Sequence, residues 1–193
     1  MNNHQPKKLL EMSLDELWHL FPISLVEHKD SWNIYYKEME DFLLLNLTDV
    51  RIVRISHIGS TAIPSIMSKN IVDILVEINP LENLTNVASK IEKIGFLKMS
   101  SSNTRYAFNF GYTESGFAEK VYHLHLRYQG DNDELYFRDY MNENPTCAKE
   151  YESLKLALWK KYEYNRDAYT EAKANFVKKY TNLAKEKYPN RYQ

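Results

Sequence analysis

Cysteine is nearly absent from this 193-residue chain, which contains Cys147 and no other. A single cysteine excludes an internal disulfide and also excludes the ligand spacing of a zinc finger. It suits a reducing compartment, so we expect a cytoplasmic protein. No histidine lies near Cys147 in the sequence, and we therefore do not predict a cysteine nucleophile.

Long apolar runs and the common phosphate-loop motifs are also missing. No apolar stretch approaches the ~20 residues that a membrane-spanning helix needs, and the first eight residues lack the apolar run of a signal peptide. The formal net charge is −1, so nothing attracts the whole chain to nucleic acid. Neither GxxxxGKS/T nor GxGxxG occurs. We expect a soluble protein without a nucleic-acid or membrane partner, and its oligomeric state stays open.

What is present is an ordinary globular composition, with 44% hydrophobic and 26% charged residues. The length, together with the lack of repeats and of Gly-, Ser- or Pro-rich linkers, predicts one domain. We place this domain at residues 25–187, with a helical C-terminal part at about 132–187. Residues 1–24 form a predicted N-terminal extension that carries a short helix.

Hydrophobic periodicity predicts an α+β protein, in which helices flank a mixed β-sheet and a helical hairpin ends the chain. Ser13 and Glu16 form a capping-box pattern before a short helix that Pro22 ends. The other predicted helices span residues 31–46, 82–94, 131–143, 145–162 and 167–187. The predicted strands span residues 50–58, 71–78, 96–99, 105–110 and 120–128.

Charge is distributed unevenly along the chain. From Lys149 to the end there are eleven Lys and Arg and six Asp and Glu, which gives 11 − 6 = +5 and leaves −6 for the preceding residues. One interpretation is a pair of helices with solvated charged faces. The other is a basic wall that faces an anionic substrate such as a nucleoside triphosphate.

The most informative segment is a Gly-Ser turn between two predicted strands, at residues 57–64, followed by the run 71–78. Gly59 has no Cβ, so a backbone or a phosphate can approach it closely, and Ser60 and Thr61 add hydroxyl donors. Asp73 lies within an aliphatic run, where an acid is costly unless it is paired, solvated or bound to a metal ion. Together these residues predict a metal-and-phosphate site.

The turn and the acid on the next strand resemble the signature of the nucleotidyltransferase superfamily, the fold of DNA polymerase beta. Within that superfamily the chain is most similar to the GrpB family. The similarity extends from about Trp32 to about Val177, which is most of the chain. The matching segments are HIGSTAIP (57–64), IVDILV (71–76), YHLHL (122–126), FRDYMNENP (137–145), YESLK (151–155) and RDAYTEAKANFV (166–177).

The resemblance implies a nucleotidyltransferase-like fold, a nucleoside triphosphate donor and a small-molecule acceptor. It also implies a divalent metal ion, Mg²⁺ or Mn²⁺, with Zn²⁺ as a further option. By this resemblance Gly59 and Ser60 hold phosphates and Asp73 holds the metal. The superfamily pattern has a second acid two residues after the first, because two metal ions share carboxylate ligands. Here that position is Leu75, although the GrpB pattern shares this single-acid arrangement.

Three further residues are candidate metal ligands. Glu77 has the same strand parity as Asp73 but lies a further ~6.6 Å along the strand than the second-acid position. His123 and His125 share one face of another predicted strand, and two imidazoles would favour a softer ion such as Mn²⁺, Zn²⁺ or Fe²⁺ over Mg²⁺. They are equally candidates for a general base or a phosphate-binding cation. The alternative for Asp73 is a buried ion pair with an arginine, Arg54 or Arg105.

Four basic residues are candidate phosphate ligands: His57, Lys69, Arg105 and Lys173. For His57 a structural hydrogen bond that holds the turn is equally plausible. Lys173 lies four residues after Tyr169, so both share a helix face that could close over the cleft or simply pack. Arg138 and Asp139 are expected to form a structural ion pair.

These observations leave three hypotheses for function. The first is a metal-dependent nucleotidyltransferase that moves a nucleotidyl group from a nucleoside triphosphate to a small acceptor, with Asp73, His123 and His125 as the catalytic residues. The second is a binding protein for a nucleotide or a coenzyme A-related metabolite, which Leu75 favours. The third is a metal-dependent hydrolase that uses the same acid and imidazoles.

Overall fold

The computed structural model describes residues 7–192, so the first six residues of the predicted N-terminal extension lie outside the described part. Its centre is a mixed five-stranded sheet. In chain order the strands are β1 (Ile52–Ile58), β2 (Val72–Ile78), β3 (Leu97–Ser101), β4 (Arg105–Thr113) and β5 (Gly116–Tyr128). Their spatial order is β1-β2-β5-β4-β3, with β2 and β5 parallel and every other neighbouring pair antiparallel. The predicted α+β class and mixed sheet are confirmed.

Helices cover both faces of this sheet. They are α1 (Leu14–Leu20), α2 (Ser31–Asn46), α3 (Leu84–Lys93), α4 (Asp133–Glu143), α5 (Pro145–Tyr162), α6 (Arg166–Glu171) and α7 (Ala174–Lys187). The capping box of α1 forms as expected, because Ser13 and Glu16 exchange both hydrogen bonds. In the part of the chain that the structure describes, no helix is long and apolar enough to cross a membrane.

The last predicted helix, at 167–187, differs from the structure, which divides it into α6 and α7. At the break the Lys173 amide donates to the Thr170 carbonyl, a bond three residues back that tightens the turn. The α-helical hydrogen-bond pattern is therefore interrupted just before α7. Helix α7 then packs mainly on α4, and it meets α5 through stacked rings of Tyr151 and Phe176. The second helix of the predicted C-terminal hairpin is therefore two helices, α6 and α7.

Alternation along β2 and β5 gives the sheet two different faces, because neighbouring residues of a strand point to opposite sides. One face is apolar and packs against α2 and α3. Its buried residues are Val72, Ile74, Val76, Ile78, Tyr122, Leu124, Leu126 and Phe108. The other face carries Asp73, His123 and His125, and α4 to α7 lie over it.

Helix α4 attaches this second layer to the sheet. Leu135 packs on Leu75 and Ile58, which are almost completely buried beneath it. Arg138 forms the expected ion pair with Asp139, at 2.7 Å, and also donates to the carbonyl oxygen of His57 at 2.9 Å. Because α4 is fixed at one end of the polar face, the region around Asp73 stays open as a cleft.

Candidate functional site

The open part of the polar face is a cleft of about 830 Å³ between the sheet and helices α5 to α7. The Gly-Ser turn, which forms one turn of 3-10 helix at Ser60–Ala62, lies on one side of the cleft. Among the lining residues are Gly59, Ser60, Thr61, Lys69, Asp73, Asn109, His123, His125, Tyr151, Lys155, Arg166, Tyr169 and Lys173. Most of the predicted site residues therefore do come together.

Gly59 and Asp73 meet at the junction of turn and strand. Ile58 pairs with Asp73 across β1 and β2, so the next residue, Gly59, lies directly beside the carboxylate. A Cβ atom on Gly59 would lie 2.3 Å from Asp73 Oδ2, and the φ angle of Gly59 is +71°. Both observations require glycine at this position.

Asp73 and His123 form the centre of a hydrogen-bonded chain. They are neighbours in the parallel pair β2 and β5, and His123 Nδ1 lies 3.1 Å from Asp73 Oδ1. On its other side His123 Nε2 lies 2.8 Å from the hydroxyl oxygen of Tyr112. Because an ionised carboxylate can only accept, Nδ1 carries the imidazole proton and Nε2 accepts from Tyr112.

The pKa values agree with an ionised acid beside a neutral imidazole. Burial would raise the pKa of Asp73, but the hydrogen bond from His123 and the nearby imidazole of His125 hold it well below its usual range. Burial lowers the pKa of His123, and the attraction of Asp73 does not fully offset this effect.

His125 differs from His123, although the sequence makes the two look equivalent. Its Nε2 atom lies 4.0 Å from Asp73 Oδ1, which is beyond hydrogen-bond distance. Opposite it on β4 is the small residue Ala107. Its imidazole therefore faces the cleft with room for a ligand, whereas both nitrogens of His123 are occupied.

The opposite wall of the cleft is cationic and aromatic. Lys173 Nζ lies 4.2 Å from the ring centroid of Tyr169, and Lys69 Nζ lies 5.9 Å from the same centroid. Lys155 Nζ donates to the carbonyl oxygen of Met67 and lies 5.0 Å from the ring centroid of Tyr151. Within residues 7–192 none of these three ammonium groups forms an ion pair.

Burial among like charges makes these amines weaker bases. Burial and the nearby charges of Arg166 and Lys173 lower the pKa of Lys69 to about 7. Burial and the charge of Lys173 lower the pKa of Lys155 to about 7. Burial lowers the pKa of Lys173 to about 8, although the Asp73 charge acts in the opposite direction.

Arg166 extends the cationic wall towards the histidines. Its guanidinium carbon lies 5.4 Å from the ring centroid of Tyr112, the residue that holds His123. Its Nε atom is buried and has no hydrogen-bond partner among the residues that the structure describes. Such a donor in a cleft lining is available to an anionic ligand.

Three predicted site residues are not brought to the cleft. His57 points to the opposite face of the sheet, where its ring stacks on Tyr36 and forms a hydrogen bond of 2.9 Å with Thr61 Oγ1. Burial lowers the pKa of His57 to about 4. This is the structural hydrogen bond weighed as the alternative. Arg105 forms a two-point ion pair with Asp131, with both distances 2.6 Å.

Glu77 is the third predicted site residue that does not reach the cleft, because its carboxylate has other partners. It is fully buried, pairs with Arg54 at 3.3 Å, and accepts hydrogen bonds from the Gly130 amide and the Asn132 side chain. The two arginines weighed as partners for Asp73 thus pair with other acids.

The side chains at the predicted metal site do not form a coordination cluster. In the described part of the chain, no group of three or more His, Cys, Asp or Glu side chains is arranged to hold a metal ion. Asp73 Oδ1 and both nitrogens of His123 are hydrogen-bonded, and Leu75 is fully buried. These residues do not fit a two-metal centre, so we derive no step through a metal ion.

Sequence reasoning did not single out three residues that line the cleft, Asn109, Tyr151 and Arg166, or Tyr112, which bonds His123. Tyr151 and Arg166 each begin a segment that matches the family pattern. The match marks these segments but does not indicate that the two side chains line the cleft. Nothing local marks Asn109 or Tyr112, because their roles depend on the pairing of β4 with β5.

Known proteins resemble this chain over most of its length. A family profile described as GrpB protein matches residues 22–183, a range that includes the cleft from Gly59 to Lys173. The glutamate-rich protein GrpB of Alkalihalophilus pseudofirmus is 34% identical over 160 residues, which are 80% of this chain and 91% of that protein. The UPF0157 protein YqkA of Bacillus subtilis is 27% identical over 168 residues, 84% of this chain and 48% of that protein.

A solved structure has the same overall fold. The crystal structure of the conserved protein GrpB from Enterococcus faecalis superimposes with a TM-score of 0.72 at 28% identity. The match covers 86% of this chain and 99% of that one. The overall fold is therefore shared with a GrpB protein.

Proposed function

The chain belongs to the GrpB family, and from the cleft described above we propose that it binds a nucleoside triphosphate and transfers the nucleotidyl group to a small acceptor. The observation that carries this proposal is the meeting of two groups in one cleft. A wall with Lys69, Lys155, Lys173 and Arg166 lies across the cleft from the polar face of the sheet, which carries one ionised acid and the imidazole of His125.

The wall suits a polyphosphate. Lysine and arginine supply the charge-assisted hydrogen bonds that phosphate oxygens accept, and Arg166 Nε is a buried donor without a protein partner in the described residues. A cleft of about 830 Å³ lies within the ~300–1,000 Å³ typical of small-molecule sites. Gly59 lets a phosphate approach the turn closely. Charge and size together therefore favour a nucleotide over a neutral metabolite.

Transfer would proceed by attack of an acceptor hydroxyl oxygen on the α-phosphorus. The new phosphorus–oxygen bond forms as the bond to the β-phosphate bridge breaks, and pyrophosphate leaves against the lysines and Arg166. His125 takes the acceptor proton, because its imidazole faces the cleft and is not hydrogen-bonded to Asp73. The cations stabilise the charge that accumulates on the leaving group.

Asp73, His123 and Tyr112 act by positioning. The Asp73 carboxylate lies 4.0 Å from His125 Nε2, so a negative charge stands beside the imidazole that takes the proton. His123 stays neutral and holds Asp73 in place, while Tyr112 fixes the ring from the other side. The histidine pair therefore divides into one base and one support.

Ligand binding without transfer is the second candidate function. The buried Leu75, where the superfamily pattern has an acid, is the specific observation in its favour. A coenzyme A-related nucleotide would present a similar phosphate group to the same lysines. A binding protein would be stabilised by its ligand without forming product.

The test is a product assay with ATP, CTP, GTP and UTP labelled at the α-phosphate, in the presence of pooled hydroxyl and amine acceptors. We expect transfer of label to an acceptor with equimolar pyrophosphate, and loss of turnover by more than ~100-fold in His125→Gln. His19→Gln, an exposed histidine on α1, is the matched control and keeps full activity.

Other outcomes separate the alternatives. Ligand-dependent stabilisation without any product supports the binding protein. Release of phosphate or pyrophosphate in the absence of an acceptor supports the hydrolase. Unchanged turnover in His125→Gln contradicts the assignment of the base.

A further inference from the structure

We infer that the lysines of the cleft take the place of metal ions, so that the ligand it accepts is a metal-free polyphosphate. This inference rests on the proposed function, since it concerns the form of the nucleotide that the same site binds. The side chains at the centre of the cleft do not supply the ligands of a metal centre within the described residues.

The carboxylates that would recruit metal ions are missing from the cleft or already paired. Leu75 lies under Leu135 on α4, so an acid at that position would be buried in an apolar contact. Glu77 is neutralised by Arg54. Asp73 is left as the acid at the centre, and its Oδ1 atom is shared with His123.

Acids at the outer part of the cleft are paired or exposed. Glu134 accepts from Arg127 at 2.7 Å, and Asp133 forms an ion pair with Lys185. Asp167 is exposed to solvent at the start of α6. These acids do not converge with Asp73 on a common point, in agreement with the lack of a metal-binding group within residues 7–192.

Positive charge inside the cleft exceeds negative charge. Lys69, Lys155, Lys173 and Arg166 line the cleft together with Asp73. The other acids of the lining are ion-paired or exposed: Asp133, Glu134 and Asp167. Divalent ions in nucleotide sites neutralise phosphate oxygens, and here protein cations do this directly. A magnesium ion on the ligand would cancel two of the negative charges that these side chains attract.

Binding of an anion would also favour the protonated form of these lysines. The charged groups that face them are Asp73 from β2, Glu152 from α5 and Arg166 from α6. Tyr151 and Tyr169 also pack against them, and burial raises the pKa of each of these phenols, to about 12 for Tyr151, so both stay neutral. An entering polyphosphate supplies the negative charge that favours the protonated amines.

The experiment is isothermal titration of the full chain with inorganic tripolyphosphate and with ATP, first in EDTA and then at increasing Mg²⁺. We expect the tightest binding in EDTA and at least a tenfold rise in Kd when Mg²⁺ saturates the ligand. Tighter binding with Mg²⁺, Mn²⁺ or Zn²⁺ would overturn the inference, and so would the absence of binding under every condition.

A pair of lysine variants assigns the effect to the cleft. Lys173→Gln should weaken tripolyphosphate binding at least tenfold, whereas Lys179→Gln, an exposed position on α7, should not change it. Lys69→Gln provides a second test that does not depend on α7, and thermal unfolding of each variant establishes that it is folded. Equal binding by Lys173→Gln, Lys69→Gln and wild type would also overturn the inference.

Different experimental results would contradict the inference and the proposed function. Tight EDTA-resistant binding without any transfer product contradicts the transferase and leaves the inference standing. Transfer that requires Mg²⁺, with higher affinity for the magnesium complex, supports the transferase and overturns the inference.

Discussion

The two faces of the sheet are built from alternate residues of the same strands, yet they have opposite properties. On β2 the apolar face has Val72, Ile74 and Val76, which pack against α2 and α3. The polar face has Asp73 and Glu77, with Leu75 between them. A step of one residue along the strand thus separates the hydrophobic core from the cleft.

Stability and ligand binding therefore depend on different residues. The apolar face is almost wholly buried, and its contribution scales with the area removed from water. The wall opposite the polar face instead holds the like charges of Lys69, Lys155 and Lys173 close together without neutralising them, which costs folding free energy. Substitutions in the apolar core and in the cleft should therefore change different measured quantities.

We expect the largest effect from an acid at Leu75, the one apolar residue between the two acids that β2 contributes to the polar face. Leu75→Asp buries a carboxylate against Ile58 and Leu135, so we expect the free energy of unfolding to fall by ~3 kcal/mol or more. Leu75→Met is the control that conserves volume and should cost less than ~1.5 kcal/mol. Urea denaturation measures both. A stable Leu75→Asp protein that gains tight Mn²⁺ binding would contradict our account.

Gly59→Ala tests the contact between the turn and Asp73. We expect a loss of ~2 kcal/mol, because the new methyl group clashes with the carboxylate and the φ angle is unfavourable. Gly130→Ala is the matched control, since its φ is +91° but nothing lies near the added Cβ. Chemical denaturation should show the larger loss for Gly59→Ala. Equal losses would mean that the unfavourable φ angle, and not the contact with Asp73, causes the loss of stability.

Lys173→Met separates stability from binding on the cleft face. The folded-state pKa of about 8 lies below the ordinary lysine value, so this group opposes folding increasingly as the pH falls from about 10 to 8. Removing the amine should therefore raise the free energy of unfolding at pH 7 by on the order of 1 kcal/mol, after the lost contact with Tyr169 is subtracted. Polyphosphate binding should weaken at least tenfold in the same protein.

Lys179→Met, which changes an exposed lysine of α7, is the control for that variant. Thermal unfolding with and without tripolyphosphate measures both effects. A Lys173→Met protein that is less stable at pH 7, and that still binds tripolyphosphate, would show that this lysine is a structural residue.

The smallest expected effect is the pH dependence of binding. Lys173 gains its proton as the pH falls through about 8, and Lys69 and Lys155 gain theirs through about 7. Tripolyphosphate affinity should therefore rise about threefold or more between pH 9 and pH 7, roughly 0.6 kcal/mol or more. Titration calorimetry at each pH measures this change. Affinity that falls over this range would contradict the cationic wall.

Much of the fold was predictable because its signals are local. The helix at 31–46 has the observed bounds, and β2 differs from its prediction by one residue, since periodicity marks both. The break at Lys173 was not predictable, because no Gly or Pro marks it. It depends on how the chain packs over the cleft.

The candidate site was predictable in its centre but not in its partners. Gly59 stands out because it lacks a Cβ atom at a turn between two strands, and Asp73 because it is an acid within an aliphatic run. The partners of Glu77 and Arg105 come from other elements, which sequence spacing does not reveal. The different roles of His123 and His125 likewise depend on Tyr112, eleven residues before the first histidine.

The most direct measurement is a crystal structure of the chain with a non-hydrolysable ATP analogue in the presence of EDTA. Our account predicts the triphosphate in the cleft, with its oxygens within hydrogen-bond distance of Lys69 Nζ, Lys173 Nζ and Arg166 Nε. It also predicts His125 beside the α-phosphate. A triphosphate outside the cleft, or one that enters it only when a divalent ion bridges it to Asp73, would contradict the central claim.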